Sequence, residues 1–206
     1  PSTAPQQFQS EGFWGFGFAL NGLSAPLLAM TSLVGLAAGI KALTQEVEGR
    51  NTYLGLILFM LGGTLGVFGT NHLVGVYFFH EFALIPTFIL TLFWGGEGRR
   101  PAAMQMAIYL TAGAMVSLAG ILIAIYASGV DYGAATFESV AHGLQNAKSI
   151  PAATGALVLF GLGTLASLFP FHSWAAPGYT AAPTPVSMLH AGALKKFGLY
   201  GIILLG

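Results

Sequence analysis

Apolar residues occur in long continuous runs along this sequence, and short polar segments separate the runs. Six runs are long enough to cross the hydrocarbon core of a bilayer as α-helices, which takes about 20 residues. They cover approximately residues 21–40, 53–70, 73–94, 102–127, 152–171 and 184–206. The strands of a membrane barrel would instead alternate apolar and polar residues. The pattern therefore predicts an all-α polytopic membrane protein with about six transmembrane helices, preceded by an N-terminal segment at residues 1–20.

The composition supports this interpretation. Charged residues make up 7% of the 206 residues, and apolar residues make up 55%. A soluble domain contains about 25% charged residues. The composition therefore excludes a soluble enzyme and a nucleic-acid-binding protein with a basic patch, and it makes the lipid bilayer the main surroundings of the chain. The chain contains no cysteine, which excludes disulfides and iron–sulfur clusters bound by this chain.

The basic residues of the connections predict the orientation of the chain. Lys41, Arg50, Arg99 and Arg100 lie in two connections, whereas the opposite set of connections contains only Lys148. Because cytoplasmic loops are rich in Lys and Arg, we expect the first two connections to be cytoplasmic. The N-terminal segment 1–20 and the connection 128–151 are then external, and residues 172–183 are cytoplasmic.

Three charged residues lie within the predicted spans: Glu81, Lys195 and Lys196. A charge at the centre of a membrane helix costs about 2.5–3.5 kcal/mol on insertion scales, and such residues usually face a protein interior or a hydrated cavity. Burial and a nearby lysine shift a carboxyl pKa in opposite directions, so an acid between them can exchange protons near neutral pH. We therefore predict that Glu81 is a proton carrier; the alternative is a buried structural acid.

The basic candidates lie together in the sixth predicted span. Lys195 and Lys196 are adjacent, so they point about 100° apart on a helix and cannot both face one partner. We expect one lysine to line an internal pathway, while the other reaches the interface or a neighbouring helix. His190 lies five residues before Lys195 and is a further relay candidate, although a single histidine in an apolar helix is more often a packed core residue. His80 precedes Glu81 and is expected to face elsewhere, either as a packing residue or at the lipid interface.

Several ordered motifs resemble those of one family. Residues 81–86 read E-F-A-L-I-P, residues 170–174 read P-F-H-S-W, and residues 194–201 read L-K-K-F-G-L-Y-G. This combination resembles the antiporter-like proton-pumping membrane subunits of respiratory complex I, and most closely the subunit-4 type (chain M) of NADH:quinone oxidoreductase. The resemblance extends from about Gly22 to the end of the sequence.

The resemblance implies a fold and the roles of particular residues. Subunits of this family have fourteen helices with two inverted five-helix repeats, each forming half of a proton path. The present sequence is then expected to be a fragment that holds the third to the eighth helix, which includes the first repeat. The key glutamate of the family maps onto Glu81, and the lysine of its eighth helix maps onto Lys196. His190 matches a histidine of the sister subunit of the subunit-5 type.

The sequence departs from the family pattern at two places. The family usually has a lysine five residues before the proline of the P-F-H-x-W motif, and this position is Leu165. The usual glutamate–lysine partnership is therefore missing, and its role is expected to pass to Lys195, Lys196 or His190, unless this half-channel works differently. Residues 176–179 read A-P-G-Y, where the family usually has an acidic P-D-A-H loop.

The resemblance also implies a function and its partners. The chain is expected to be a subunit of a translocase that couples electron transfer from NADH to quinone with proton pumping, in a bacterial inner membrane. NADH, flavin, iron–sulfur clusters and quinone would then be bound by partner subunits, without redox chemistry on this chain. Two alternatives remain open. One is a subunit of an Mrp-type cation/proton antiporter or a membrane-bound hydrogenase, and the other is a structural membrane anchor without transport.

Overall fold

The computed structural model describes residues 9–10, 17–147 and 153–205. Most of the predicted external segment 1–20, namely residues 1–8 and 11–16, lies outside the described residues. Lys148, the start of the predicted span 152–171 and the last residue of the predicted span 184–206 also lie outside them.

The described residues form nine α-helices and one pair of two-residue strands, β1 (Gln9–Ser10) and β2 (Phe18–Ala19), which pair antiparallel. The helices are α1 (Ser24–Leu43), α2 (Arg50–Gly69), α3 (Leu73–Trp94), α4 (Arg99–Ser128), α5 (Phe137–Gln145), α6 (Ala153–Leu165), α7 (Ala175–Ala181), α8 (Thr184–Leu189) and α9 (Lys196–Leu205). The prediction of an all-α polytopic membrane protein is confirmed.

Five of the described helices are long and apolar enough to cross a membrane, by length and composition. They are α1, α2, α3, α4 and the continuous helical segment Thr184–Leu205, which contains α8 and α9. The remaining apolar helix, α6, is shorter than the span predicted at residues 152–171.

The helix α6 ends earlier than the hydropathy pattern predicts because a backbone hydrogen-bond motif terminates its last turn. The backbone N–H of Leu168 donates to Gly163 O at 2.8 Å, and that of Ser167 donates to Thr164 O at 3.1 Å. Ser167 has a φ of 57°, in the left-handed region. These features define a Schellman closure, which uses the free carbonyls at a helix end and turns the chain away from the helix axis. Hydropathy cannot detect this closure, since residues 166–171 are mostly apolar.

Glycines allow the spanning helices to approach each other closely. A Cβ atom on Gly161 of α6 would lie 2.6 Å from Ser117 Cβ of α4, and one on Gly63 of α2 would lie 2.7 Å from the backbone N of Ala83 on α3. Neither position has room for a side chain. Small residues at such contacts are typical of membrane helix packing, which depends on van der Waals contact rather than on the hydrophobic effect.

The connections gather at two opposite ends of the helices. At one end, Phe18 pairs with Thr70, and His72 pairs with Thr136. At the other end, Trp94 Nε1 donates to Glu48 O, and Gly96 N donates to Ala181 O, both at 2.8 Å. The second end therefore contains both connections that carry the basic residues, together with α7. The side of the membrane that each end occupies stays a prediction.

Candidate functional site

Glu81 lies on α3, just over one turn before Pro86, and its closest ionisable partner is the preceding residue. Glu81 Oε1 lies 3.6 Å from Nδ1 of His80. The His80 side chain is 3% exposed and the Glu81 side chain is 25% exposed. The pair thus lies at the edge of the buried face of α3, with the imidazole on the inner side.

The facing atoms of this pair make no hydrogen bond. Among the described residues, His80 Nδ1 and Glu81 Oε1 are both buried without a hydrogen-bond partner. Buried polar atoms are nearly always hydrogen-bonded in proteins, so an unsatisfied one requires an explanation. The distance between the two atoms is only slightly longer than a hydrogen bond. A small movement of either side chain would therefore form a hydrogen bond between them.

The expectation that His80 faces elsewhere than Glu81 is wrong, since their polar atoms are 3.6 Å apart. Of the packing and lipid-interface positions expected for it, the structure shows the packing position for His80. Its ring packs against Phe197 of α9, with ring centroids 4.7 Å apart, and it interacts electrostatically with His190. The reason is helical spacing: Val76, Ala83 and Thr87 lie four, three and seven residues from His80, respectively, and all three are buried. His80 therefore belongs to the inward stripe of α3.

The helix that carries the basic candidates contains a π turn at His190–Leu194, between α8 and α9. Lys195 N donates to His190 O at 2.8 Å, five residues back, whereas an α-helix would direct it to Ala191 O. The Ala191 carbonyl instead accepts a hydrogen bond from Lys196 Nζ at 2.6 Å. Single π turns inside α-helices occur frequently at functional sites. Here the carbonyl that the turn leaves free accepts a hydrogen bond from Lys196, one of the predicted site residues.

His190 begins this π turn and is buried, with 3% exposure. Its Nδ1 lies 3.2 Å from the Tyr179 hydroxyl of α7. The rings of Trp174 and Tyr179 both pack on the imidazole, with centroids 5.6 Å and 5.4 Å from it. Burial raises the pKa of the Tyr179 hydroxyl, so this group stays protonated and available for hydrogen bonding at neutral pH.

The two lysines have different surroundings, as their spacing predicts. Lys195 Nζ lies 5.7 Å from the centroid of the Tyr179 ring and interacts electrostatically with His190. Lys196 is held at the Ala191 carbonyl of its own helix. In the part of the chain that the structure describes, neither lysine forms an ion pair with Glu81. The structure thus places Lys195 beside His190, and it packs His80, the neighbour of Glu81, against the helical segment that also carries His190.

Leu165 is the last residue of α6 and is 3% exposed within an apolar cluster. Its neighbour Thr164 accepts a hydrogen bond from Trp174 Nε1 through the backbone carbonyl, at 3.2 Å. This position therefore contributes packing and not charge. No group of three or more His, Cys, Asp or Glu side chains that could hold a metal ion occurs among residues 17–147 and 153–205.

A sequence profile of the family described as "NADH:quinone oxidoreductase/Mrp antiporter, TM" matches residues 70–205. This match includes Glu81, Lys195, Lys196 and His190, and it also includes His80. It therefore covers most of the chain and all of the candidate site.

Two curated relatives illustrate the sequence similarity. "NAD(P)H-quinone oxidoreductase chain 4 1" of Picosynechococcus sp. is 34% identical over 194 residues, which cover 92% of this chain and 34% of the relative. "F(420)H(2) dehydrogenase subunit M" of Methanosarcina mazei is 32% identical over 216 residues, covering 98% of this chain and 42% of the relative. The chain thus spans less than half the length of these relatives.

Solved structures of respiratory membrane complexes contain chains of similar fold. One belongs to the membrane-bound sulfane sulfur reductase, an archaeal respiratory membrane complex, with a TM-score of 0.80, 26% identity and coverage of 98% of this chain and 32% of that chain. Another belongs to respiratory complex I from Thermus thermophilus, with a TM-score of 0.72, 29% identity and coverage of 97% and 43%. A chain of the Mrp complex from Dietzia sp. is similar in fold alone, with a TM-score of 0.76 at 22% identity and coverage of 97% and 38%.

Proposed function

The chain belongs to the NADH:quinone oxidoreductase/Mrp antiporter family of membrane proteins, and from this premise we propose that it translocates protons as one subunit of a respiratory quinone oxidoreductase complex. The observation that carries the proposal is the buried, unsatisfied carboxyl oxygen of Glu81 beside the imidazole of His80. Ionisable residues within membrane helices are typical of proton pathways, because an apolar residue would serve a purely structural position at lower cost.

In this proposal Glu81 is the proton carrier, and His190 or Lys196 is the next relay. His190 is supported by its burial and by its hydrogen-bond contact with Tyr179. Lys196 is supported by its half-buried position inside a spanning helix, and Lys195 by its electrostatic interaction with His190. A change in the charge on these basic groups alters the proton affinity of Glu81, which provides a way to drive proton uptake and release.

The redox chemistry belongs to other subunits in this proposal. NADH, flavin, iron–sulfur clusters and quinone are assigned to partner subunits, and other membrane subunits are the direct partners, because the similar solved chains belong to multi-subunit respiratory complexes. The similarity to subunits named NAD(P)H-quinone oxidoreductase chain 4 supports quinone as the electron acceptor.

The first alternative, an antiporter or hydrogenase subunit, differs from the proposed function in what drives the protons. An Mrp-type antiporter subunit would exchange protons for another cation without electron transfer, and a membrane-bound hydrogenase subunit would use a different redox partner. A structural anchor would carry no protons at all, so Glu81, Lys195 and Lys196 could all become apolar without loss of activity. Proton uptake driven by NADH oxidation distinguishes the proposed function from the antiporter and hydrogenase subunits, and its loss in Glu81→Gln distinguishes the proposed function from a structural anchor.

The test is Glu81→Gln in the full-length protein, assembled in its complex and reconstituted into proteoliposomes. Glutamine keeps the size of the side chain and its hydrogen-bonding ability but cannot ionise. A pH-sensitive dye inside the vesicles reports proton movement during NADH oxidation, and quinone reduction is recorded in parallel. Glu97→Gln, in the exposed connection between α3 and α4, is the matched control.

We expect the Glu81→Gln complex to assemble and to lose most of its proton translocation, about tenfold or more. The Glu97→Gln complex should pump as the wild type does. Normal pumping by an assembled Glu81→Gln complex would refute the carrier role.

A further inference from the structure

We propose that His80 passes protons between Glu81 and His190, so that the residue preceding the acid on α3 is itself a relay residue. This inference rests on the proposed function, because it describes how the proton reaches Glu81. His80 directly precedes Glu81, and adjacent residues on a helix point about 100° apart. Spacing alone would therefore direct the His80 side chain away from the acid.

The first argument is the geometry of the facing atoms. His80 Nδ1 and Glu81 Oε1 are 3.6 Å apart, and each is buried without a hydrogen bond within the described parts of the chain. Hydrogen bonds of this type have lengths of about 2.7–3.2 Å. A movement of less than about 1 Å therefore makes the pair competent for direct transfer, and its reversal separates the pair again. Such a contact can open and close without a change in the helix.

The second argument is the position of His80 between the acid and the other basic groups. Its imidazole is held against Phe197, and α3 packs against the π turn that begins at His190. His190 interacts electrostatically with His80 and with Lys195. His80 thus lies beside Glu81 and on the face of α3 that packs against the helical segment carrying the basic residues.

A purely structural role does not account for the unsatisfied Nδ1 of His80. A histidine that only packed against Phe197 would leave its Nδ1 unsatisfied, and a buried polar atom without a partner is unfavourable. Phenylalanine or leucine would fill the same space without this penalty. A proton relay, in contrast, requires an imidazole nitrogen that faces the acid and is not permanently engaged elsewhere.

The transfer step balances as a simple proton exchange. The N–H bond at Nδ1 of the His80 imidazolium breaks, and an O–H bond forms at Oε1 of Glu81. An imidazolium and a carboxylate thereby become a neutral imidazole and a neutral carboxylic acid. The reverse step returns the proton, and the direction depends on the charges of His190 and Lys195. No electron donor or further reactant is involved.

The test uses His80→Gln and His80→Phe in the full-length protein within its complex, reconstituted into proteoliposomes. Glutamine retains polarity but cannot carry a proton as an imidazole does, and phenylalanine retains the ring contact with Phe197. The exposed histidine of α5 provides the control variant His142→Gln. Protons translocated per electron are measured, together with assembly and quinone reduction.

We expect both His80 variants to lower the number of protons per electron about tenfold, while His142→Gln has no effect. The double variant His80→Gln with Glu81→Gln should be no worse than Glu81→Gln alone, because His80 acts through Glu81. Should the Gln variant fail to assemble, the Phe variant, which retains the packing, decides the question. Normal pumping by an assembled His80 variant would overturn the relay.

This design separates the two proposals. If Glu81→Gln pumps normally, the proposed function fails, and the His80 relay fails with it. If Glu81→Gln loses pumping while the His80 variants retain it, only the role of His80 is overturned. Equal losses in the Glu81 variant, the His80 variants and the double variant support both.

Discussion

The Tyr179 hydroxyl lies 3.2 Å from His190 Nδ1, and it joins the short helix α7 to the π turn within the last spanning helix. α7 lies at the end that contains the basic connections, since Gly96 N donates to the Ala181 carbonyl. The proposed relay begins at His190 and continues through His80 to Glu81. A route of this kind would not require a lysine at position 165.

The first prediction concerns the Tyr179 hydroxyl. Tyr179→Phe removes the contact with His190 but retains the ring packing on Trp174, whose centroid lies 5.9 Å away. Because a side-chain hydrogen bond in a membrane protein contributes about 0.6 kcal/mol on average, the thermal midpoint should change little. Proton translocation per electron should nevertheless fall several-fold, measured in proteoliposomes. Tyr126→Phe, at a highly exposed position on α4, is the control, and equal activity of the two variants would contradict the prediction.

The second prediction concerns alkaline pH. Burial raises the pKa of the Tyr179 hydroxyl above its ordinary value of 10.0. The unfolded chain therefore ionises first, so the stability that the neutral hydroxyl contributes is complete below that value and is lost as the pH rises towards the folded-state pKa. Wild-type protein should lose stability relative to Tyr179→Phe only above about pH 10. Thermal unfolding in detergent across this range measures the difference, and parallel curves at every pH would disprove it.

The third prediction separates the charge of Lys196 from its hydrogen bond. Arginine keeps a positive charge and a donor for the Ala191 carbonyl, but it does not release its proton in proteins. Lys196→Arg should therefore assemble with nearly wild-type stability and pump poorly, whereas Lys196→Met should lose both stability and pumping. Thermal midpoints and proton-to-electron ratios are compared. A Lys196→Arg complex that pumps normally would show that the lysine serves only as a positive charge.

The fourth prediction concerns the packing of α4 against α6. Gly161 lies against Ser117 and the Gly113 carbonyl, whereas a Cβ atom on Gly155 of the same helix would meet nothing within 4 Å. Gly161→Val should destabilise the protein by about 1–3 kcal/mol, because overpacking forces the helices apart. Gly155→Val should be close to neutral. Thermal unfolding of the two variants in the same detergent tests this, and equal midpoints would mean that the two helices separate without penalty.

The fifth prediction concerns orientation in the membrane. These 206 residues contain no cysteine, so an introduced cysteine adds a single thiol to them at a chosen position. Glu97→Cys and Tyr132→Cys place that thiol at opposite ends of the helices, both at exposed positions. A membrane-impermeant maleimide added to intact cells should label the Tyr132→Cys variant directly and the Glu97→Cys variant only after permeabilisation. The opposite labelling pattern would reverse the orientation that the basic residues predict.

Hydropathy alone predicted much of the fold, because a bilayer requires long apolar segments. Five of the six predicted spans correspond to α1, α2, α3, α4 and the helical segment Thr184–Leu205, with ends that differ by a few residues. It did not predict the Schellman closure after Leu165 or the π turn at His190–Leu194. Both depend on backbone hydrogen bonds, and the residues involved are as apolar as those of a regular helix.

The sequence allowed part of the candidate site to be selected, and the roles of its residues stay predictions. The cost of burying a charge selected Glu81, Lys195 and Lys196 as candidates, but it could not select His80, whose neutral form carries no such cost. Adjacent residues on a helix point about 100° apart, which suggested that His80 and Glu81 have separate surroundings. The helical spacing of His80 from small or apolar residues on the inward face of α3 was the available signal. The side chains of His80 and Glu81 are nevertheless long enough for their polar atoms to approach to 3.6 Å.

The most direct test of the central claim is an infrared difference spectrum of the intact complex, recorded between rest and turnover with NADH. A carboxylic acid that gains and loses a proton produces a carbonyl band that a carboxylate lacks. The account predicts that part of this band disappears in Glu81→Gln, persists in Glu97→Gln and weakens in His80→Gln. An unchanged carboxylic acid band in Glu81→Gln would contradict the account, because Glu81 would then keep one protonation state throughout turnover.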